Sequence, residues 1–137
     1  MRPARALLLV LAAAAAAAPE TDPAGVEVID GGLAKLPCEL APDDGSEDKV
    51  VTVLWYRGRA VAPFYRYDTR KVPPHWTDPE LGDRVFLQVT DDGRATLTLG
   101  TATVADDDAY RCRVKFAHSP EKTSEVNLTV VGEHLDL

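Results

Sequence analysis

The two cysteines are the strongest candidates for covalent chemistry in this sequence. Cys38 and Cys112 are the only cysteines among the 137 residues. The chain begins with a segment typical of exported proteins, and exported proteins fold in an oxidising compartment where two cysteines pair. We therefore predict a Cys38–Cys112 disulfide, which would close a loop of about 75 residues and contribute roughly 4 kcal/mol.

The other polar residues do not form a catalytic or metal-binding pattern. His75, His118 and His134 are far apart and share no ligand spacing, so we predict neither a metal site nor a cofactor. The run from Asp106 to Asp108 could bind calcium, but a solvated turn whose first carboxylate pairs with Arg84 is the preferred interpretation. The sequence contains no nucleophile with a base, no phosphate loop and no free thiol, so we predict that the protein is not an enzyme.

Residues 1–18 have the composition of a signal peptide. Arg2 and Arg5 precede an uncharged run from Ala6 to Ala18, which is shorter than the roughly 20 residues that cross a bilayer. The alternative, a buried Ala/Leu helix, does not explain the basic flank. We predict cleavage near Ala16 to Ala18 and a location that is secreted or on the extracellular side of the plasma membrane. No later stretch resembles a membrane span, so a membrane anchor, if there is one, would belong to further sequence.

The charge and length limit the classes of partner and the number of domains. Loss of Arg2 and Arg5 leaves 13 of the 15 basic residues against 22 acidic ones, so the net charge moves from −7 to −9. Nucleic acid is excluded as a partner, because a phosphate backbone requires a basic face. The remaining residues suffice for one domain, predicted over residues 24–131, with residues 132–137 as a tail or the start of a linker.

The elements that position these residues are predicted to be short strands. Runs rich in Val, Leu, Thr and aromatic residues alternate with Gly, Pro and Asp, and no long stretch has helical periodicity. Asp92-Gly93 marks a hairpin turn, whereas the three prolines between Thr69 and Asp83 exclude a central strand and indicate an edge excursion with at most one short strand. The predicted strands are Val26 to Ile29, Leu33 to Leu40, Val50 to Arg57, Phe64 to Tyr67, Arg84 to Val89, Ala95 to Leu99, Ala109 to Phe116 and Ser124 to Val131.

Side-chain alternation predicts which face of the sheet each residue occupies. Tyr110 and Cys112 alternate with basic residues, so the core side of that strand is apolar and its outer side is basic. Trp55 is predicted to face inward with Val51 and Val53. The predicted outward set is Leu54, Tyr56, Arg111, Arg113 and Lys115.

The spacing of Cys38, Trp55, Tyr110 and Cys112 resembles that of an immunoglobulin variable-type domain. The resemblance implies an all-β sandwich of two antiparallel sheets joined by one inter-sheet disulfide. Trp55 would pack on the disulfide, and the Tyr110 hydroxyl would bond back to the chain. Arg84 and Asp106 would form the salt bridge that closes the bottom of the sandwich.

At finer grain, the chain resembles the first immunoglobulin domain of the sidestep family of arthropod neuronal cell-surface proteins. That family serves as partners of the beaten path proteins, so the resemblance implies a beaten-path-like partner and a role in axon guidance and adhesion. It also implies a longer membrane protein with further domains. The matching segments are Leu36-Pro-Cys38, Val53-Leu-Trp-Tyr-Arg57, Pro63-Phe-Tyr-Arg-Tyr-Asp68 with Arg70, His75-Trp-Thr-Asp-Pro79, Tyr110-Arg-Cys-Arg-Val114, Ser119-Pro120 and Val126-Asn-Leu-Thr-Val130.

The outer face of the sheet with Trp55 and Cys112 is the predicted partner-binding site. Its predicted residues place aromatic and aliphatic side chains beside arginines, the combination that dominates protein interfaces. The alternative is a solvated face on which Arg111 and Arg113 pair with Glu125. Phe64 or Tyr65 would extend the patch. The predicted partner-binding residues are Leu54, Tyr56, Tyr67, Arg111, Arg113 and Lys115.

Two further features of the predicted surface bear on partner binding. Asn127-Leu-Thr129 is a predicted glycosylation acceptor, whose phase places the sugar on the outer face near Arg113 or Arg111. The acidic loop from Asp43 to Asp48 would either steer a basic partner or be a solvated charge run.

Protein recognition is the leading functional hypothesis, with two alternatives. In a lectin, Arg111 or Arg113 would grip a carboxylated sugar through a bidentate contact. In soluble immune recognition, a secreted single domain would bind microbes.

Overall fold

The structure, a computed structural model, describes residues 24–132, and within this range the chain forms nine strands. The predicted signal peptide, residues 1–18, and residues 133–137 of the predicted tail lie outside the described residues. Short 3-10 turns occupy Gly82–Arg84 and Val104–Asp106. The strands are β1 (Ala24–Ile29), β2 (Ala34–Glu39), β3 (Val50–Arg57), β4 (Tyr65–Asp68), β5 (His75–Thr77), β6 (Val85–Thr90), β7 (Arg94–Leu99), β8 (Asp108–Phe116) and β9 (Lys122–Val131).

The strands form two sheets packed face to face. The larger sheet has the order β1-β9-β8-β3-β4-β5, and the smaller sheet has the order β2-β7-β6. The all-β, variable-type sandwich predicted from the sequence is therefore confirmed. One pairing differs from the expected antiparallel sheets, because β1 runs parallel to β9. At Gly31, whose φ is 91°, the chain leaves β1 and turns toward β2 of the opposite sheet, so β1 lies beside the last strand on the edge of the larger sheet.

The predicted strands agree with the structure to within two residues at every boundary. Local signals explain this agreement: the Asp92-Gly93 pair forms the β6–β7 hairpin turn, where Gly93 has a φ of 83°. The proline-containing excursion contributes the short strand β5. Within residues 24–132, no helix is long and apolar enough to cross a membrane.

The core lies between the sheets around the predicted disulfide. Cys38 in β2 bonds to Cys112 in β8, and Trp55 is fully buried with them. The Tyr110 hydroxyl donates to the backbone oxygen of Asp106, and burial raises the pKa of Tyr110 to about 12. Close by, Arg84 Nη2 lies 2.7 Å from Asp106 Oδ2. The bottom of the sandwich is therefore closed as the variable-type resemblance implied.

A β-bulge corrects the predicted phase at the start of β3. The pairing of β3 with β8 is irregular between Val50 and Thr52. Val50, and not Val51 as predicted, packs against the core. The regular alternation resumes at Val53, which is fully buried. A bulge adds one residue to one strand and so shifts the side-chain phase on one side of it.

Candidate functional site

The outer face is the surface of the larger sheet that points away from the core, and it is built from β9, β8, β3, β4 and β5. Strand register sets its layout: Leu54 lies between Arg113 on β8 and Arg66 on β4, and Arg66 lies beside Trp76 on β5. One row of the face therefore crosses four strands and alternates basic with apolar side chains.

Leu54 and Tyr56 have the predicted outward phase but are not exposed. Their relative exposures are only 9% and 5%, so the expected exposed apolar strip is not present. The Arg111 guanidinium lies 4.7 Å from the centroid of the Tyr56 ring. Arg113 Nη1 also donates to Tyr56 Oη at 3.3 Å. Long arginine side chains bury apolar surface beneath their stems while their charged heads stay in contact with water. Leu54 and Tyr56 therefore lie beneath a layer of arginine side chains.

Arg111 is held in place by neutral groups. Its Nε donates to the carbonyl oxygen of Gly58 at 3.2 Å, and its Nη2 donates to that of Ala60 at 2.7 Å. Glu125 lies opposite Arg111 in the strand register, but no ion pair joins them in the described part of the chain. The predicted alternative, in which both arginines pair with Glu125, is therefore wrong, because Arg111 binds backbone carbonyls instead.

Arg113 is partly neutralised, unlike Arg111. Its Nε lies 2.9 Å from Glu121 Oε2. Hydrogen bonds from the guanidinium to Glu121 and Tyr56 raise the pKa of Arg113. Lys115 continues the basic strip along β8 and lies opposite Thr52. The predicted arginine and lysine residues of β8 are thus together on one face.

Arg66 and Trp76 also belong to the outer face, although neither was predicted as a binding residue. The Arg66 guanidinium lies 5.1 Å from the centroid of the Trp76 ring. Trp76 is 39% exposed, which makes it the large aromatic side chain of this face that a partner can reach. The signal in the sequence is the His75-Trp76 pair: His75 faces inward, so Trp76 faces outward.

Tyr67 lies on the opposite side of the sheet from its predicted position. It pairs in register with the inward-facing Val53 and packs against the core. Its ring centroid is 5.0 Å from that of His75. Tyr65 is likewise buried, and Phe64 packs edge-on against Tyr110 with a centroid distance of 6.0 Å. The predicted extension of the patch by these aromatic residues is therefore wrong.

His75 is part of a half-buried aromatic cluster at the β5 edge of the sandwich. Tyr65 Oη accepts from the Leu87 N–H at 3.0 Å and lies 2.5 Å from His75 Nδ1. A hydroxyl oxygen has two acceptor sites and one proton, so Tyr65 can bond to both groups at once. Burial lowers the pKa of His75 and so favours the neutral imidazole. The ring also stacks on Phe86 at 4.8 Å. Its role in this arrangement is packing.

The outer face is basic on a chain with an excess of acid. It carries Arg66, Arg111, Arg113 and Lys115, and Arg59 lines the same surface depression as Tyr56 and Arg111. The whole chain has 22 acidic residues against 15 basic ones. This face therefore carries a cluster of basic residues, with Glu121 and Glu125 beside it.

Each aspartate from 106 to 108 has its own protein partner. Asp106 pairs with Arg84, Asp107 Oδ2 accepts from the Val130 N–H at 2.9 Å, and Asp108 Oδ2 lies 3.0 Å from Arg57 Nε. No group of three or more metal-ligating side chains occurs within residues 24–132. The predicted Arg84–Asp106 pair is present, and the run extends from the end of the 3-10 turn to the first residue of β8.

The acidic loop after β2 is anchored to the loop between β8 and β9. Asp48 Oδ2 accepts from the backbone N–H groups of His118 and Ser119. Desolvation alone would raise the pKa of Asp48, but these bonds and one from the Lys49 N–H outweigh it and lower the pKa to about 2. Lys122 Nζ lies 3.3 Å from Asp43 Oδ1. Part of the predicted charge run is therefore structural.

Asn127 is exposed and points away from the core, as its phase predicted. It lies between Ala109 on β8 and Gly25 on β1, and a Cβ at Gly25 would meet no atom within 4 Å. The adjoining pair in the register is Arg111 with Glu125. Two small neighbours leave room around the Asn127 amide.

Comparison with known proteins gives one family and one curated relative. The family model described as Immunoglobulin V-set domain matches residues 21–131. The mouse (Mus musculus) protein named Selection and upkeep of intraepithelial T-cells protein 3 is 28% identical over 110 residues, which cover 78% of this chain and 24% of that protein. The chain thus spans about a quarter of that relative.

Similar solved structures include immunoglobulin domains in complexes. The ZIG-8–RIG-5 IG1–IG1 heterodimer has a TM-score of 0.57 at 23% identity, covering 80% of this chain and 83% of that chain. Dpr11 IG1 bound to DIP-gamma IG+IG2 has a TM-score of 0.58 at 22% identity, covering 79% and 98%. The voltage-gated sodium channel beta4 subunit extracellular domain has a TM-score of 0.62 at 15% identity, covering 88% and 100%. At these identities the similarity is one of fold.

Proposed function

Because the chain belongs to the immunoglobulin V-set family, we propose that it is an extracellular recognition domain that binds another protein through its outer face. The interaction is non-covalent and the domain does no catalysis. Binding residues are Arg66, Trp76, Arg111, Arg113 and Lys115, with Leu54 and Tyr56 as the buried support beneath them.

The observation that carries this proposal is the fixed position of charged side chains above aromatic rings. Arg111 is held by Tyr56 and by two carbonyl oxygens, and Arg66 lies on Trp76. Side chains that are already ordered lose less entropy on binding than mobile ones. Arginine and tryptophan are also enriched among the residues that dominate binding energy. The face thus has the composition and the rigidity of a recognition surface.

The partner proposed is another immunoglobulin-type protein at a cell surface. Two similar structures, ZIG-8–RIG-5 and Dpr11–DIP-gamma, are complexes between immunoglobulin domains. The resemblance of the sequence to the sidestep family narrows this to a beaten-path-like partner and to adhesion during axon guidance. The protein then acts outside the cell, after removal of residues 1–18.

Charge reversal of the two pre-positioned arginines tests the binding face. In Arg66→Glu/Arg111→Glu, we expect affinity for a partner found in a pairwise ectodomain screen to fall about 30-fold or more, because loss of central contacts typically costs 2 kcal/mol or more. The measurement is surface plasmon resonance, with folding checked by circular dichroism. Tyr56→Ala is a poorer variant because Tyr56 is buried.

A matched control for this test lies on the opposite sheet. Lys35 is exposed on β2, so Lys35→Glu makes the same type of charge change on the other side of the domain. It should bind with the affinity of the wild type. Equal affinities for the arginine variant, the lysine variant and the wild type would rule out the outer face as the binding site.

The lectin hypothesis has weaker support from the arginine geometry. Arg111 donates to two carbonyl oxygens, and Arg113 donates to Glu121 and Tyr56. Each guanidinium keeps unused Nη donors, but Glu121 beside Arg113 and Glu125 opposite Arg111 would repel a sugar carboxylate. Protein recognition therefore stays the proposed function.

Asn127 is proposed to carry an N-linked glycan. When the protein is expressed in a secretory cell line, we expect a band that a peptide N-glycosidase shifts to lower mass. Thr129→Ala destroys the acceptor motif and should abolish the shift. Thr123→Ala, an exposed change on the same strand outside the motif, should keep it. Secretion of an unmodified wild-type chain would refute glycosylation at this site.

A further inference from the structure

The two sheets separate at the end of the sandwich that carries the β6–β7 turn. Val85, Leu87 and Val89 on β6 share one inward phase, but their exposures are 3%, 1% and 38%. On the facing sheet, Tyr65 is 1% exposed whereas Tyr67 is only partly buried. At this end, therefore, each sheet only partly covers the inward-facing side chains of the other.

A groove of about 590 Å³ occupies this opening. Its apolar lining includes Leu40, Val50, Tyr67 and Val89. The loop that precedes β3 forms one wall and the β6–β7 turn forms another, and the Leu40 N–H donates to the Gly93 carbonyl oxygen at 2.9 Å beside it. The groove is thus continuous with the core and open to solvent.

The rim of the groove is acidic. Glu47, Asp48, Asp91 and Asp92 line it, and the lining contains no lysine, arginine or histidine. Asp48 binds the backbone at Ser119 and His118, and Asp92 accepts from the Thr90 hydroxyl. Within residues 24–132, Glu47 and Asp91 form no ion pair, so their charges are available to a ligand.

We propose that this groove binds an extended basic segment of a partner protein, with an apolar side chain of the segment on Val89 and Tyr67. A lysine or arginine beside that side chain would lay its aliphatic stem along the groove and place its charge near Glu47 or Asp91. An acidic rim around an apolar floor selects this chemistry over an acidic or uncharged segment. The groove lies between the sheets, apart from the outer face, so this inference does not rest on the proposed function.

A nuclear magnetic resonance titration with a synthetic probe tests the proposal. The probe is the capped pentapeptide acetyl-Gly-Arg-Leu-Arg-Gly-amide, and acetyl-Gly-Glu-Leu-Glu-Gly-amide is the control. We expect the basic peptide to shift the amide signals of Tyr67, Val89 and Asp91 with millimolar affinity, which is about −4 kcal/mol. Raising the salt concentration should weaken the binding, because the carboxylates are exposed.

Variants of the lining residues test whether the peptide binds in the groove. Glu47→Gln/Asp91→Asn should lower the affinity for the basic peptide about threefold to tenfold, the loss expected for two exposed ion pairs. Val89→Thr should weaken it as well by making the floor polar. The control Glu27→Gln/Asp83→Asn removes two exposed carboxylates elsewhere and should leave the affinity unchanged.

Three results would overturn the proposal. The first is an absence of shifts at about 10 mM peptide, well above the expected dissociation constant. The second is equal binding of the acidic peptide or an equal loss in the control variant. The third is a shift of the same signals with protein concentration alone, which would identify a second copy of this chain as the occupant.

Discussion

Replacing both cysteines, as Cys38→Ala/Cys112→Ala, is expected to lower the free energy of unfolding by about 4 kcal/mol. The disulfide joins residues 74 positions apart, and a crosslink over a loop of this length removes much of the chain entropy of the unfolded state. Small domains typically have only about 5 to 15 kcal/mol of stability in total. The variant should therefore be partly or wholly unfolded at 37 °C, which urea denaturation followed by tryptophan fluorescence would measure.

Reduced wild-type protein is the control that separates the crosslink from the packing. Under a reductant it keeps both sulfur atoms in the core and loses only the covalent bond. It should show most of the 4 kcal/mol loss, and the alanine variant should lose slightly more because two buried side chains become smaller. A total loss below about 1 kcal/mol in both samples would contradict the assigned role of the disulfide.

Arg84→Ala is expected to lower the free energy of unfolding by about 2 to 3 kcal/mol. The side chain of Asp106 is 8% exposed, and Arg84 Nη2 is its cationic partner at 2.7 Å. Arg84 also donates from Nε to the Gly100 carbonyl oxygen at 3.1 Å. Removing the arginine leaves a buried carboxylate with the Thr103 N–H as its remaining donor. An unpaired buried charge costs several kcal/mol, here reduced because Arg84 itself is 35% exposed.

Arg94→Ala provides the matched control for this second prediction. The Arg94–Glu39 pair joins strands of the smaller sheet at 3.6 Å, with side-chain exposures of 69% and 57%. Exposed pairs of this kind contribute less than about 1 kcal/mol. Thermal unfolding of both variants should therefore show a clear loss for Arg84→Ala and little change for Arg94→Ala. Similar losses for the two variants would mean that burial of Asp106 is not the cause.

The parts of the fold that could be predicted are those that depend on neighbours along the chain. The alternation from Tyr110 to Phe116 identifies the inward and outward faces of β8, and each prediction there is confirmed. The Asp92-Gly93 turn could likewise be predicted from adjacent residues alone. By contrast, the bulge lies between Val50 and Thr52 in the pairing of β3 with β8, a strand distant in the sequence, and no local pattern predicts it.

The outward phase of the candidate-site residues on β3 and β8 was predicted correctly, but their accessibility was not. Leu54 and Tyr56 face outward, yet their burial depends on where arginine side chains of the adjacent strand lie. Tyr67 lies on the opposite face from the predicted one. Its face depends on the register of β4 with β3, in which Tyr65 lies opposite Trp55, and that pairing joins segments that are not adjacent in the sequence. Trp76 has an outward position only because a three-residue strand forms within a proline-rich excursion. The burial and the orientation of these side chains thus depend on tertiary contacts, which a local sequence pattern does not contain.

The edge strand β5 also has a consequence for aggregation. It contains only three residues, and Pro73, Pro74 and Pro79 flank it. Proline has no backbone N–H, so these positions cannot extend a hydrogen-bonded ladder to another chain. The exposed Trp76 within β5 would otherwise favour the addition of strands from other chains at this edge. The protein can thus expose an aromatic binding surface beside a sheet edge that does not pair with strands of other chains.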